Sequence, residues 1–433
     1  MTLMHRPLSQ PWLVFVAGCV MFAGECQLSA QLTESDWPQF RGWGGAGVSA
    51  SRGLPLSWSA TENVVWKTAL PGPGASSPIV VGDKIFLTCY SGYNNPRQER
   101  GEPEQLRLHV VCLHRESGQI LWNTEVAPKL PEQPSIRENH GYASSTPVSD
   151  GERVYVFFGK TGVFAFDLRG KELWRADVGS GLNGWGSAAS PILFGDLVIV
   201  NASVESQSLV ALDKMSGRDV WRVKDIREAW NTPVVVPLKD GRHEIVLGKL
   251  QQVVGVDPVT GGELWHCAND ITWYIAPSVV VQDGIVWSIG GRSGVAAVAV
   301  RAGGRGDVTS THRLWTSHKG SNVTSPLIHE GHLYWMHENL GIAYCAEGDT
   351  GKLVYEERLP RAGQVYASPV LADGKLYYVA RIGRTFVLAA GPRFQLLATN
   401  DLDDSSTFNA SPAVTGRRLL LRSDRYLYCL GSE

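Results

Sequence analysis

Residues 211–221 read Ala-Leu-Asp-Lys-Met-Ser-Gly-Arg-Asp-Val-Trp, an apolar strand, an acidic turn with glycine, and a second strand that ends on tryptophan. Asp213 and Ser216 can satisfy turn amides, and Gly217 can take the positive φ that a tight turn requires. The pattern therefore predicts a β-hairpin. Trp221 has a large flat side chain that can wedge between adjacent sheets.

The same unit recurs along the chain, at residues 112–122, 165–174 and 255–265, with a degenerate copy at 345–355. Its small first residue predicts a crowded position inside each sheet, where Cys112, Cys345 and Cys429 act as small apolar side chains. The aromatic residues predicted to dock one sheet on the next are Trp66, Trp122, Trp174, Trp221, Trp265, Trp315 and Tyr355.

A second repeat, a small or hydroxylated residue followed by proline, precedes a pair of apolar strands. It occurs at Ser77-Pro78, Thr146-Pro147, Ser190-Pro191, Thr232-Pro233, Ala276-Pro277, Ser325-Pro326, Ser368-Pro369 and Ser411-Pro412. All but the first spacing fall within the roughly 40–50 residues of a four-stranded propeller blade. The last blade is one strand short, and residues 63–67 can supply that strand and remove the free edges. The sequence predicts an all-β fold, an eight-bladed β-propeller of four-stranded antiparallel blades whose ring is closed by N- and C-terminal strands.

Composition agrees with a folded β-protein and excludes other classes. The 433 residues are 43% hydrophobic and 19% charged, with a net charge of −2, which argues against disorder and gives no reason to expect nucleic acid as a partner. Length alone suggests about three domains. The continuous repeat instead predicts a single propeller domain over residues 31–433.

The first 30 residues have the features of a secretory signal peptide, one cation followed by an apolar stretch too short to span a membrane. We therefore expect an extracytoplasmic protein, periplasmic or secreted. An alternative is a lipoprotein box ending at Cys19, which would tether the chain to a membrane. Five cysteines remain after the leader, and Cys89 and Cys112 could bridge neighbouring strands.

The Asp-x-x-[Ser/Thr]-Gly-x-x-x-Trp unit resembles the tryptophan-docking repeat of pyrroloquinoline-quinone (PQQ) type β-propellers. The resemblance covers most of the chain after residue 30. The segments at 36–42, 141–147 and 408–412 also resemble secreted PQQ-repeat proteins of planctomycete bacteria. The superfamily contains periplasmic quinoprotein dehydrogenases as well as binding propellers such as the outer-membrane β-barrel assembly lipoprotein.

The dehydrogenase branch implies PQQ and Ca²⁺ as cofactors for the oxidation of alcohols or sugars. Such enzymes use a disulfide of adjacent cysteines, oxygen ligands for Ca²⁺ and an aspartate base. This sequence has no adjacent cysteines, and no catalytic residue or metal ligand can be assigned. His329, His332 and His337 are expected to lie on a loop and a strand, and Asp401, Asp403 and Asp404 in a solvated loop. The sequence thus favours a ligand-binding or protein-interaction scaffold, with the quinoprotein dehydrogenase as the alternative.

Segments that enter the first strand of each blade converge on the propeller axis and are here rich in aromatic and amide side chains. Such a ring suits a small planar or carbohydrate-like ligand, or a partner protein. The alternative is that these side chains only fill the mouth of the channel. The predicted ligand-binding residues are Tyr142, Trp185, Trp230, Asn231, Trp273, Tyr274, Asn322, Tyr366, Phe408 and Asn409.

Overall fold

The computed structural model describes residues 1, 32–134, 136, 140–291 and 293–431. The predicted leader, with Cys19, lies outside the described residues. Within those ranges, no helix has the length and apolar character needed to cross a membrane.

Thirty-four short strands form eight sheets around one axis, and each sheet contains four antiparallel strands in order. Two strands precede the first complete blade, β1 (Val48–Ser49) and β2 (Val64–Ala69). The strands of blades 1 to 4, from the axis outward, are β3 (Ile79–Val81), β4 (Lys84–Ser91), β5 (Arg107–His114), β6 (Ile120–Val126); β7 (Val148–Ser149), β8 (Arg153–Phe157), β9 (Val163–Asp167), β10 (Glu172–Ala176); β11 (Ile192–Phe194), β12 (Leu197–Ala202), β13 (Ser208–Asp213), β14 (Asp219–Lys224); β15 (Val234–Pro237), β16 (His243–Lys249), β17 (Gln252–Val256), β18 (Glu263–Ala268).

Blades 5 to 8 follow the same plan, except that a two-residue strand from blade 5 joins the edge of blade 4. Their strands are β19 (Val280–Gln282), β20 (Ile285–Ile289), β21 (Ala297–Arg301), the joining strand β22 (Gly306–Asp307), β23 (Arg313–Ser317); β24 (Leu327–His329), β25 (His332–Met336), β26 (Ile342–Glu347), β27 (Leu353–Arg358); β28 (Val370–Ala372), β29 (Lys375–Val379), β30 (Thr385–Ala389), β31 (Leu396–Asn400); β32 (Ala413–Thr415), β33 (Arg418–Arg422), β34 (Tyr426–Leu430).

Among the described residues, helical structure is confined to single turns in the connections. Two are α-helical, α1 (Ser203–Ser206) and α2 (Thr309–His312), and three are 3₁₀ turns at Trp43–Gly45, Pro103–Gln105 and Gly159–Thr161.

The ring closes as the sequence predicts. Strand β2 is the outermost strand of blade 8 and pairs antiparallel with β34, with Trp66 opposite Cys429. The eight-bladed all-β fold is therefore confirmed. Because the first and last parts of the chain share one sheet, separating them would expose two edges.

Five tryptophans join their own blade to the next one through the same contact. Each indole Nε1 donates to a backbone carbonyl of the following blade, at 2.8–3.1 Å. Each ring also lies on a turn glycine whose added Cβ would fall 2.5–2.8 Å from it. The pairs are Trp66 with Gly118, Trp122 with Gly170, Trp174 with Gly217, Trp221 with Gly261, and Trp315 with Gly351.

Trp265 departs from this pattern and turns into its own blade. Its Nε1 donates to the buried Glu244 carboxylate at 2.7 Å, and its ring occupies the space that a side chain at Gly255 would fill. The outer face of blade 4 is instead covered from blade 5, because β22 pairs in parallel with β18, and Gly303 and Arg305 both donate to Glu244. Trp265 therefore does not make the contact that the other five share, although it lies fully buried in one apolar cluster with Val286 and Val298 of blade 5.

The seam that follows blade 6 uses two aromatic rings, since Tyr355 packs at 5.6 Å from Phe394 of blade 7. In blade 7 itself Ala398 takes the register position of the docking tryptophan, opposite Val387. The corresponding third-strand residues are small where the aromatic is present: Cys112, Ala165, Ala211, Gly255, Ala299, Cys345 and Cys429. In blade 7 the larger side chain of Val387 therefore compensates in volume for the smaller Ala398.

The alternative of a bond between Cys89 and Cys112 is wrong. Cys112 pairs with Phe86 and Cys89 with His109, an odd offset that directs the two thiols to opposite faces of the sheet. Both are free and buried, as are Cys267, Cys345 and Cys429. Burial raises the pKa of Cys112 and of Cys345 to about 12, so these thiols are protonated and unreactive at neutral pH.

Candidate functional site

Eight hydroxyl side chains, one from each blade, form a closed ring of hydrogen bonds around the axis. Each residue donates its backbone N–H to the hydroxyl oxygen of the residue in the next blade, at 2.9–3.0 Å. The members of this hydroxyl ring, in order, are Ser77, Thr146, Ser190, Thr232, Ser278, Ser325, Ser368 and Ser411. Every hydroxyl oxygen thus accepts one bond.

The hydroxyl ring corrects one of the sequence anchors. In seven blades the ring residue is the one before the anchor proline, but in blade 5 it is Ser278, the residue after Pro277. The Ala276-Pro277 dipeptide is therefore displaced by two residues from the structural repeat. Ala276 has no hydroxyl, so the chain supplies one from the next serine.

The hydroxyl ring forms the floor of a cup that opens along the axis, with a volume of about 360 Å³. This is within the lower part of the range of small-molecule sites. Seven of the eight ring residues line it, together with Phe40, Ala75, His140, Ser144, Trp185, Ala188, Trp230, Tyr274, Ala276, Asn322, Val323, Glu338, Asn339, Gln364, Tyr366 and Asn409. We call this space the axial cup.

An N-terminal segment, residues 36–49, crosses the opposite side of the ring. Trp37 exchanges two backbone hydrogen bonds with Val80 at 2.9 Å, and Ser149 donates to the carbonyl of Pro38. At its far end β1 pairs in parallel with β28, the innermost strand of blade 7. Because Phe40 of this segment also lines the cup, the segment closes the cup below the hydroxyl ring.

One wall of the cup is a cluster of aromatic rings centred on Tyr274. Its ring centroid lies 5.3 Å from Trp230 in an edge-on arrangement, 5.8 Å from Trp185 and 5.8 Å from Trp273. Trp230 is fixed by a 2.7 Å hydrogen bond from Nε1 to the carbonyl of Gly186, whereas Trp185 is 41% exposed. Trp185 is thus the ring that a ligand can reach with least rearrangement.

His140 holds Trp185 in place. Its Nε2 donates to the carbonyl of Trp185, and its Nδ1 is hydrogen-bonded to Oγ of Ser144. Burial lowers the pKa of His140, so the imidazole is neutral at pH 7. His140 therefore supplies position rather than charge.

The other wall is lined by Gln364, Tyr366 and Asn409, and all three contact Arg381, which is not itself among the lining residues. The guanidinium of Arg381 lies 4.3 Å from the ring centroid of Tyr366, and it donates to Asn409 at 2.9 Å and to Gln364 at 2.7 Å. These contacts fix a polar surface opposite the aromatic cluster.

Asn322 and Glu338 form the polar corner between the two walls. The Nδ2 of Asn322 donates to the hydroxyl of Tyr274 at 2.8 Å, and its backbone N–H donates to Glu338 at 3.0 Å. Ser321 and Asn339 also donate to that carboxylate. Within the part of the chain that the structure describes, Oδ1 of Asn322 has no hydrogen-bond donor although the residue is 3% exposed. A buried acceptor without a donor is costly, so this oxygen favours a ligand hydroxyl or N–H.

The structure brings together six of the ten predicted mouth residues in the lining of the cup: Trp185, Trp230, Tyr274, Asn322, Tyr366 and Asn409. The other four lie outside it. Tyr142 packs on Tyr90 and Tyr93, Asn231 is fully buried with its amide bonded to Gly248, Trp273 packs against the back of Tyr274, and Phe408 stacks on Tyr428. Asn231 and Phe408 are fully buried, so placing them in the mouth was wrong. Tyr142 is partly buried and Trp273 is 41% exposed, and neither belongs to the lining of the cup.

Sequence reasoning missed the floor. The Ser/Thr-Pro anchor was interpreted only as a mark of the repeat, although its hydroxyl recurs in seven of eight blades and its position before the innermost strand directs it to the axis. His140, Gln364 and Arg381 carried no repeat signal.

The cup does not have the donor set of a calcium–quinone centre. Among the described residues, Glu338 is the one carboxylate that lines it, and both of its oxygens already accept hydrogen bonds. No group of three or more His, Cys, Asp or Glu side chains able to hold a metal occurs among the residues described. Of the five cysteines that the structure describes, the two nearest in sequence are Cys89 and Cys112, and they lie on opposite faces of one sheet. A calcium ion and a planar quinone would lack the carboxylates and the sulfur platform that the resemblance implies.

Comparison with known sequences gives one family. The family model described as outer membrane protein assembly factor BamB matches residues 107–353. A search of curated proteins finds no match to the chain.

Comparison with solved structures shows the same fold in proteins of different function. BamB from Moraxella catarrhalis superposes with a TM-score of 0.61 at 15% identity, covering 86% of this chain and 97% of that one. Quinohemoprotein alcohol dehydrogenase ADHIIG from Pseudomonas putida HK5 gives 0.66 at 12% identity, covering 92% and 81%. The quinohemoprotein alcohol dehydrogenase of Comamonas testosteroni gives 0.62 at 12% identity, covering 93% and 82%. At these identities the similarity establishes the fold alone.

Proposed function

The chain belongs to the family described as outer membrane protein assembly factor BamB, and from this premise we propose that it is a binding propeller rather than an enzyme. Its axial cup takes a small planar or carbohydrate-like ligand, or a side chain presented by a partner protein. The observation that carries the proposal is the cup itself, aromatic on one wall, polar on the other and closed below by residues 36–49.

The contacts in the cup support binding over catalysis. Its aromatic rings offer flat faces, and Asn322 offers a buried acceptor without a donor, which are features that recognise a ligand. Of the described residues that line it, the carboxylate of Glu338 is held by three donors and His140 is hydrogen-bonded at both ring nitrogens, so neither is poised to move a proton.

We also propose that the protein works outside the cytoplasm. The leader-like residues 1–30 and a family described by outer-membrane protein assembly support this location. Recovery of the protein from the periplasm or medium, with a mature N-terminus near residue 31, is the expected result of fractionation. Recovery of the intact chain from the cytoplasm would contradict it.

The binding function is tested by titrating the purified protein with glucose, glucuronate, 2-naphthoate, 2-naphthamide and PQQ while tryptophan fluorescence is recorded. We expect saturable binding of at least one probe, weakened about tenfold or more by Trp185→Ala because its ring is the exposed face of the cup. Trp43→Ala is the matched control, since Trp43 is 45% exposed and lies outside the cup. Absence of binding by every probe would contradict the proposal.

The alternative, a quinoprotein dehydrogenase, has a separate readout. The protein reconstituted with PQQ and Ca²⁺ is assayed for dye reduction with alcohols and sugars. We expect no turnover above the cofactor alone. Robust turnover that depends on PQQ and Ca²⁺ would replace the binding proposal with the enzymatic one.

A further inference from the structure

Arg41 is a buried cation directly below the hydroxyl ring. It is 1% exposed, and its Nη2 donates to the carbonyls of Ala46 and of Pro326, the residue that follows Ser325 of the ring. A Cβ added at Gly47 would contact both this guanidinium and the carbonyl of Pro369. Pro369 is the residue that follows Ser368 of the ring. The guanidinium therefore lies beneath blades 6 and 7, next to Pro326, which directly follows Ser325 in the floor of the cup.

No carboxylate of the described residues neutralises the charge of Arg41. Within the described ranges, no acceptor bonds to its Nε or Nη1, and no carboxylate forms an ion pair with it. Burial lowers its pKa to about 9, which leaves the group cationic at neutral pH. An uncompensated buried charge is costly, and an anion nearby removes part of that cost.

The hydroxyl ring gives an anion its hydrogen bonds. Each ring oxygen already accepts a backbone N–H, and across the described residues none of the eight hydroxyls donates to a protein acceptor in a recorded bond. The hydrogens of the seven ring hydroxyls that line the cup are thus available to a ligand there. Accepting a bond polarises a hydroxyl and makes it a stronger donor.

We propose that the axial cup selects a carboxylated ligand, with the carboxylate on the hydroxyl ring above Arg41. This inference rests on the proposed binding function and specifies its ligand class as a small acid of about one sugar or one bicyclic ring. The body of the acid lies between Trp185 and Tyr366, and a ligand hydroxyl or N–H donates to Oδ1 of Asn322. Glu338 accepts hydrogen bonds from Ser321 and Asn322, which precede Ser325 of the ring by four and three residues, so its charge is held by its own donors.

The test compares each acid with its amide, which has the same shape and no charge. Glucuronate and glucuronamide, and 2-naphthoate and 2-naphthamide, are titrated into the purified protein by calorimetry. We expect the acid of at least one pair to bind about tenfold or more tightly than its amide. Arg41→Met should remove this preference by weakening the acid alone, and Arg41→Lys should retain part of it.

Arg422→Met is the matched control. Arg422 is also 1% exposed, donates to a backbone carbonyl, that of Ser76, and like Arg41 does not itself line the cup. It differs from Arg41 in having a carboxylate close by, since the charges of Arg422 and Asp424 shift each other's pKa. Its loss should lower stability and leave the acid-to-amide ratio unchanged. If Arg41→Met does not fold, Asn322→Asp replaces it, since a second carboxylate on the wall should weaken the acids and not the amides.

Two failures are distinguishable. Equal affinity for acid and amide, or an equal loss of both in Arg41→Met, would overturn the carboxylate inference and leave the binding function standing. Binding of no probe at all would overturn the binding function and this inference with it.

Discussion

At the scale of single residues, glycine and tryptophan act together at the seams between blades. The indole of Trp174 lies where a Cβ on Gly217 would fall 2.5 Å away, and that glycine has a φ of +71°. The position thus excludes other residues for two separate reasons, the backbone conformation and the space taken by the ring.

Substitution of Gly217 separates these two reasons. Gly217→Ala should lower the free energy of unfolding by about 2–4 kcal/mol, because the methyl group displaces Trp174 and the backbone is strained. Gly195→Ala is the control, because Gly195 has a φ of +54° and no atom within 4 Å of the added Cβ. Gly195→Ala should lower the free energy of unfolding by only about 1–2 kcal/mol. Equal losses in urea unfolding would contradict the packing contribution.

A second residue-scale feature is the buried carboxyl of Glu205, which is 5% exposed. Burial raises its pKa to about 7 from an ordinary value of 4.5, so the native state binds the proton more tightly than the unfolded chain. The stabilisation from this proton is present near pH 4.5 and is lost as the pH rises through about 7.

Replacing Glu205 by glutamine should flatten that part of the pH profile. The free energy of unfolding of Glu205→Gln, measured relative to that of the unsubstituted protein at the same pH, should be higher at pH 8 than at pH 5 by about 1–3 kcal/mol. Glu152→Gln, at an exposed position, should follow the parent at both pH values. A parallel profile for Glu205→Gln in denaturant titrations at the two pH values would contradict this assignment.

At the scale of elements, the repeat in the sequence was enough to count the blades and to identify β2 as the closing strand. The reason is that turn glycines, docking aromatics and small partners are local requirements repeated in each hairpin. The contact of Trp265 could not be predicted in this way, since its indole bonds to Glu244, a carboxylate that residues of the next blade also bind. The floor of the cup was hidden for a related reason: its hydroxyls are local residues, but their function arises only from neighbours in other blades.

The hydroxyl ring also gives a prediction for the start of a strand. Ser368→Ala removes the acceptor of the Ser325 N–H and should lower the free energy of unfolding by about 1–3 kcal/mol, because a buried donor is left unpaired. Ser368→Thr should change the free energy of unfolding by no more than about 0.5 kcal/mol, because threonine occupies the same ring position in blades 2 and 4. Similar losses for the two variants in urea unfolding would contradict the hydrogen-bonding role.

At the scale of the whole molecule, the N-terminal part of the chain has two separate tasks. Residues 36–49 close the cup, and β2 completes blade 8 and carries Trp66 to Gly118 of blade 1. The first task concerns the site, and the second concerns the integrity of the ring.

Truncation at two points separates the tasks. A chain that begins at residue 51 should still unfold cooperatively, with a reduced melting temperature because the buried Trp37 is lost. A chain that begins at residue 71 lacks β2 and should lose cooperative unfolding or aggregate, because blade 8 exposes β34 as an edge. The same thermal transition in both chains, followed by circular dichroism, would contradict this division.

The bond from Ser411 to Ser77 joins residues 334 positions apart. Seven bonds of the hydroxyl ring join blades that follow one another in the chain, so they can form in the order in which the polypeptide emerges during synthesis. The eighth has to wait until the final blade exists. A chain released before residue 411 would therefore leave Ser77 without its donor and β2 without its sheet, and the two defects together would distinguish an unfinished molecule from a finished one.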